Sequence, residues 1–224
     1  MHPYVQAITK TFEKHANPAN AAGQKAYMRN MFEFYGISSP VRKEIQKPFL
    51  TKEKLPPKEE LQNIVKELWN LPQREFQYFA LELTYKYNKK FDTTDLSLFE
   101  WMITHKSWWD TVDFVAPKLC GSYFKLFPQE RHSATARWID SGNIWLQRSA
   151  VLFQLNYKEN TDTELLVSII QRLIPTDEFF INKAIGWMLR NYSKVNPQWV
   201  ENYVSRTPLS NLSKREALKI IAAR

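Results

Sequence analysis

A cation returns along this chain at a nearly fixed interval. Arg74, Arg148, Lys183 and Arg215 are separated by 74, 35 and 32 residues, and the first interval is two steps of 37. Each opens a helical run after a polar or capping segment, and halving the long interval lands on Thr111. Leu155-Asn156-Tyr157 and Arg190-Asn191-Tyr192 close two such runs at the same 35-residue offset. A period of this length, two helices each, marks an α-helical solenoid. No such repeat buries its apolar face alone, so neighbours must stack. The expected fold is all-α, in a single domain over residues 1–224.

The local pattern agrees. Leu61, Ile64, Val65, Leu68 and Trp69 fall at i, i+3, i+4, i+7 and i+8, and Leu165, Leu166, Ile169, Ile170 and Leu173 form a second apolar stripe of the same kind. Pro40, Pro57, Pro72, Pro128 and Pro197 stand where helices can begin. Glycine is scarce, 5 residues in 224, which argues against a turn-rich β fold and against a glycine-built nucleotide cradle. Ser107…Asp110 and Ser213…Glu216 have the spacing of capping boxes. Asp110 therefore has a backbone N–H to satisfy, whereas Asp113 has no cap to make.

Thirty-one Lys and Arg against 23 Asp and Glu leave a net charge of +8, which favours a polyanionic partner. On a solenoid, cations at one phase of the repeat form a row suited to phosphate, with the plainer alternative that they are solvated helix-start residues. The lone Cys120 and the scattered His2, His15, His105 and His132 give no zinc-ligand spacing. No apolar run approaches the ~20 residues of a membrane span, and no signal peptide is evident. A cytoplasmic chain without metal or membrane association is expected.

One segment breaks the pattern. Where other repeats present a cation, the central one reads Lys106-Ser107-Trp108-Trp109-Asp110-Thr111-Val112-Asp113. Trp109 and Asp113 are i and i+4 and share a helix face. A carboxylate beside an indole is commonly a solvated acid next to a half-buried ring. Set in a basic groove it weakens polyanion binding, so its presence there requires chemistry that uses it.

The stretches THKSWWDTVD (104–113), NIWLQRSAVLFQLNYK (143–158), FFINKAIGWMLRNYSK (179–194) and LSKREALK (212–219), with the opening MHPYVQA and KELWNLPQREFQ (66–77), resemble the AlkD family over essentially the whole chain. These are bacterial alkylpurine DNA glycosylases. The resemblance implies a right-handed solenoid of HEAT-like two-helix repeats with a concave basic DNA-binding face. It implies excision of 3-methyladenine and 7-methylguanine from double-stranded DNA by a monomer, with no cofactor. It places the catalytic acid on Asp113, the flanking aromatics on Trp109 and Trp187, and a backbone-binding arginine on Arg148. Lys183, Arg74, Arg215, Lys106 and Arg190 complete the expected DNA-contacting cations.

Two residues keep a second reading. Trp187 is otherwise a core residue, with Gly186 beside it allowing close approach of either a helix or a ligand. Arg148 can pair with an acid of the chain such as Asp113, which would depress that acid's pKa and keep it ionised. The competing function is a non-catalytic scaffold binding DNA or an acidic protein, which gives Asp113 no purpose.

Overall fold

The computed structural model describes residues 1–222, and it is all-α. Its only β feature among the described residues is an isolated bridge between Glu33 and Gln73. The chain forms two compact units, Met1–Lys90 and Phe91–Arg224.

The first unit contains α1 (Pro3–Lys14), α2 (Pro18–Tyr27), α3 (Ser39–Gln46), α4 (Lys58–Asn70) and α5 (Arg74–Tyr85). Its starts are set by proline and by side-chain caps. Pro3 and Pro18 begin their helices, where a missing N–H costs nothing, and the Asn17 side chain accepts from Asn20 N. The predicted stripe from Leu61 to Trp69 is wholly buried.

The second unit shows the repeat. Its helices are α6 (Asp95–Thr104), α7 (Trp109–Phe114), α8 (Gly121–Leu126), α9 (Arg131–Asp140), α10 (Ile144–Leu152), α11 (Thr163–Leu173), α12 (Phe179–Tyr192), α13 (Pro197–Arg206) and α14 (Asn211–Leu218). A π-helical stretch, Val115–Cys120, joins α7 to α8. Pro117 explains it, because a proline inside a helix cannot donate to the carbonyl four residues earlier. Here that carbonyl belongs to Asp113.

The second helix of each pair carries one residue at an equivalent place. Asp113, Arg148, Lys183 and Arg215 are each the fifth residue of α7, α10, α12 and α14. Three of the four periodic cations therefore share a real register, one turn inside the helix rather than at its start, and its central member is Asp113 rather than Thr111; Arg74, the first residue of α5, falls outside it.

Neighbouring repeats are tied by side chains donating to backbone oxygens. The Tyr157 hydroxyl donates to Gly121 O, Asn191 Nδ2 to Leu155 O, and Ser213 Oγ to Asn182 O. The Leu155 carbonyl lies past the end of α10, whereas Gly121 opens α8 and Asn182 lies inside α12, where the side chain takes a carbonyl's second lone pair.

Neither expected capping box forms. Ser107 Oγ donates back to Ile103 O at 2.6 Å, and the N-cap of α7, Trp108, makes no side-chain cap. The cap of α14 is Ser210, whose hydroxyl accepts from Ser213 N, and Glu216 lies deeper in the helix. At α14 a nearer serine caps the helix, and before α7 the Ser107 hydroxyl is taken by a carbonyl of α6. Among the described residues no helix is long and apolar enough to cross a membrane, and no group of three or more His, Cys, Asp or Glu is arranged to hold a metal ion.

Candidate active site

A cavity of about 310 Å³ opens in the second unit, lined by Trp109, Asp113, Arg148, Phe179, Phe180, Lys183, Trp187 and Arg190. Three helices supply it, at the repeat positions already described. Trp109 and Asp113 come from one face of α7, and Arg148 from α10. The rest come from α12, where Lys183, Trp187 and Arg190 recur at i, i+4 and i+7 on one face.

Asp113 and Arg148 form a two-point ion pair. Nε meets Oδ1 at 2.8 Å and Nη2 meets Oδ2 at 2.8 Å, while Nη1 donates to the carbonyl of Phe180. Arg148 is 3% exposed, and the Asp113 side chain keeps 19% of its surface open. Every guanidinium nitrogen thus has an acceptor within the protein. The Phe180 ring lies 6.0 Å from that guanidinium and packs on Trp145 and Trp108 at 4.9 and 5.4 Å. This aromatic cluster makes the surroundings apolar.

That environment reverses one expectation. Burial pushes the Asp113 carboxyl above its usual range; the Arg148 hydrogen bonds and charge pull it back in part, and Asp110 adds to the rise. Pairing was expected to leave the acid depressed, but desolvation outweighs it. Arg148 also differs from its expected place. It is buried against Asp113 rather than turned outward, because its position in α10 faces the neighbouring helices α7 and α12.

The other expected site residues divide. Trp109 and Trp187 are half-buried and on the cavity wall, so Trp187 is not a core residue. Lys183 and Arg190 also face the cavity, and both are paired to Glu216 of α14, at 2.7 and 2.6 Å. Lys106 is half-buried in the turn before α7, with its backbone in the left-handed region at φ 48°. Arg215 is exposed on α14 and lies outside this cavity's lining. Arg74 departs most. It is 0% exposed, with its guanidinium 3.7 Å above the Phe32 ring. As the first residue of α5 it points inward, so it offers no surface to a phosphate.

Gly186 is settled by geometry. A Cβ there would stand 2.5 Å from Glu216 Cβ and 2.9 Å from Ser213 O. The glycine lets α12 and α14 touch, rather than admitting a ligand. Sequence reasoning missed three residues here: Phe179, 57% exposed at the cavity, Phe180 and Glu216. The α12 periodicity held the signal for the two phenylalanines. Nothing in the linear pattern pointed Glu216 at two cations of another helix.

The sequence model of the family described as "DNA alkylation repair enzyme" matches residues 8–221. The chain belongs to that family. Its fold is also that of a solved structure, the predicted DNA alkylation repair enzyme from Enterococcus faecalis. The two are 38% identical with a TM-score of 0.86, over 93% of this chain and 98% of that one. No curated protein matches the chain. Family membership gives it a role in repairing alkylated DNA and makes DNA its partner, and the family match runs through both units.

Proposed function

We propose that the chain is a monofunctional DNA glycosylase that hydrolyses the N-glycosidic bond of purines carrying an alkyl group at N3 or N7, in duplex DNA. The observation that carries this reading is a largely buried carboxylate, Asp113, held at a cavity wall that also bears two indoles, Trp109 and Trp187.

Alkylation at N3 or N7 leaves a formal positive charge on the purine and weakens its bond to the sugar. The base departs with the bonding electrons as a neutral molecule, so no acid has to protonate it. What needs stabilisation is the oxocarbenium-like deoxyribose. The Asp113 carboxylate sits in surroundings of low polarity, where a fixed charge acts strongly on a developing cation. Arg148 takes one lone pair on each carboxylate oxygen, and a carboxylate has about four. The remaining sites are free to orient water toward C1′ and accept its proton.

Trp109 and Trp187 pack on the sugar, attract positive charge through their ring faces, and displace bulk water. Lys183 and Arg190 hold the backbone phosphate and fix register without reading sequence. Arg148 acts through Asp113, as its positioning residue. The scheme calls on no metal or cofactor.

The test is single-turnover release of methylated purine from alkylated duplex DNA. Wild-type protein is expected to liberate 7-methylguanine or 3-methyladenine and leave an abasic site. DNA binding without base release would favour the scaffold reading.

A further inference from the structure

Glu216 carries a cation on each of its oxygens. Lys183 Nζ lies 2.7 Å from Oε1 and Arg190 Nη1 lies 2.6 Å from Oε2. The acid is 6% exposed, while Lys183 and Arg190 line the cavity with Asp113 and Trp187. The two cations stand two turns apart on one face of α12, with Trp187 between them. Left to themselves, two long cationic side chains so placed would repel each other and spread into solvent. The carboxylate behind them draws their heads together instead.

We propose that Glu216 is a positioning residue, and that it converts Lys183 and Arg190 into a preformed seat for one backbone phosphodiester beside the scissile sugar. This rests on the reading of the cavity as a DNA-repair site. Charge supports it: within the cavity lining, the two cations less the carboxylate they share leave a surplus of one, which a single phosphodiester neutralises, and Lys219, which also acts on the Glu216 carboxyl, lies outside that lining. Asp113 and Arg148 cancel each other across the cavity and add no net charge.

Donor capacity supports it too. An ammonium has three N–H donors and a guanidinium five, so each cation keeps donors beyond the one given to Glu216. Packing then fixes the seat. Glu216 Cβ fits against Gly186 only because that residue has no side chain, and Ser213, one turn earlier on α14, donates to Asn182 O. The Lys183 hydrogen bond also holds the Glu216 carboxyl below its usual range, which favours its charged form.

The prediction runs against the ordinary result of damaging a binding site. Glu216→Gln keeps the shape and frees a second positive charge. Undamaged duplex should bind more tightly at low salt, with a log–log salt slope steeper by about 0.9, the value of one further neutralised phosphate. Release of methylated purine at saturating protein should nevertheless slow by about tenfold, because small misplacement of a reacting group is costly. Ser213→Ala loosens the same packing with no change of charge, and serves as the structural control.

The proposal stands if Glu216→Gln shows tighter, more salt-sensitive binding with slower release while Ser213→Ala shows neither. It is overturned if the salt slope does not change, or if Ser213→Ala reproduces both effects. Should wild-type protein release no base at all, the glycosylase reading fails, and the salt-slope comparison still decides whether Glu216 tunes a phosphate seat.

Discussion

Replacing Asp113 by asparagine tests chemistry and architecture at once, and the structure separates the two. The charge lost is the one set against the oxocarbenium-like sugar, and removal of a single preorganised electrostatic contact costs about 10²–10³ in rate. The same change strands Arg148, which is 3% exposed and relies on Asp113 for two of its bonds. Removing one partner of a buried pair costs about 3–5 kcal/mol. Asparagine keeps one oxygen acceptor and Asp113 is partly open, so the low end applies. For a chain of this size about 3 kcal/mol is roughly 6–12 °C of melting temperature.

A second substitution tells the two losses apart. In Asp113→Leu with Arg148→Met both charges are gone, and replacing a whole ion pair by apolar side chains of similar volume is often neutral or stabilising. Melting temperature should recover while base release stays lost. The assay is single-turnover release of 7-methylguanine beside thermal melting of wild type, single and double variants. An Asp113→Asn protein that melts like wild type, or a double variant that regains excision, would refute the reasoning. Asp110→Asn is the control. Asp110 stands in the first turn of α7, where a negative charge is worth about 0.3–1 kcal/mol, and it is not in the cavity lining, so excision should persist.

Arg148→Met alone should leave affinity for undamaged duplex nearly unchanged, since the guanidinium is buried. Its pH–rate profile should lose activity at higher pH than wild type, because burial already raises the Asp113 carboxyl and Arg148 is what restrains it; selective loss of DNA affinity would make it a phosphate contact after all. Gly186→Ala should destabilise by a few kcal/mol, about 1–3 for overpacking, measured by chemical denaturation. The Glu216 carboxyl is depressed in the folded state by Lys183. Its contribution to stability is therefore fully present above the unfolded-state pKa and lost as pH falls through the lower folded value. Wild type should begin to lose its melting advantage over Glu216→Gln as pH falls through the ordinary carboxylate range, and lose the rest below it.

Much of this protein was legible in its sequence because helical periodicity is a local property. The stripes from Leu61 to Trp69 and Leu165 to Leu173 are buried as their spacing requires, and the prolines mark helix starts. The 35-residue register also survived, because stacked repeats place equivalent residues at equivalent points. It brought Asp113, Arg148 and Lys183 to one cavity. What spacing does not encode is direction and partner. Arg148 and Lys183 stand at the same repeat phase and each meets a carboxylate, yet Arg148 is buried between helices while Lys183 stays partly open at the cavity. Arg74, outside that register, is buried over Phe32. Ser107 and Glu216 had motif spacing for caps, but nearer acceptors and donors from other turns took them. The sign of the Asp113 shift was likewise a tertiary outcome. It depends on the balance between desolvation and one ion pair, and that balance is set by residues far apart in the chain, Phe180, Trp145 and Arg148, which only folding brings together.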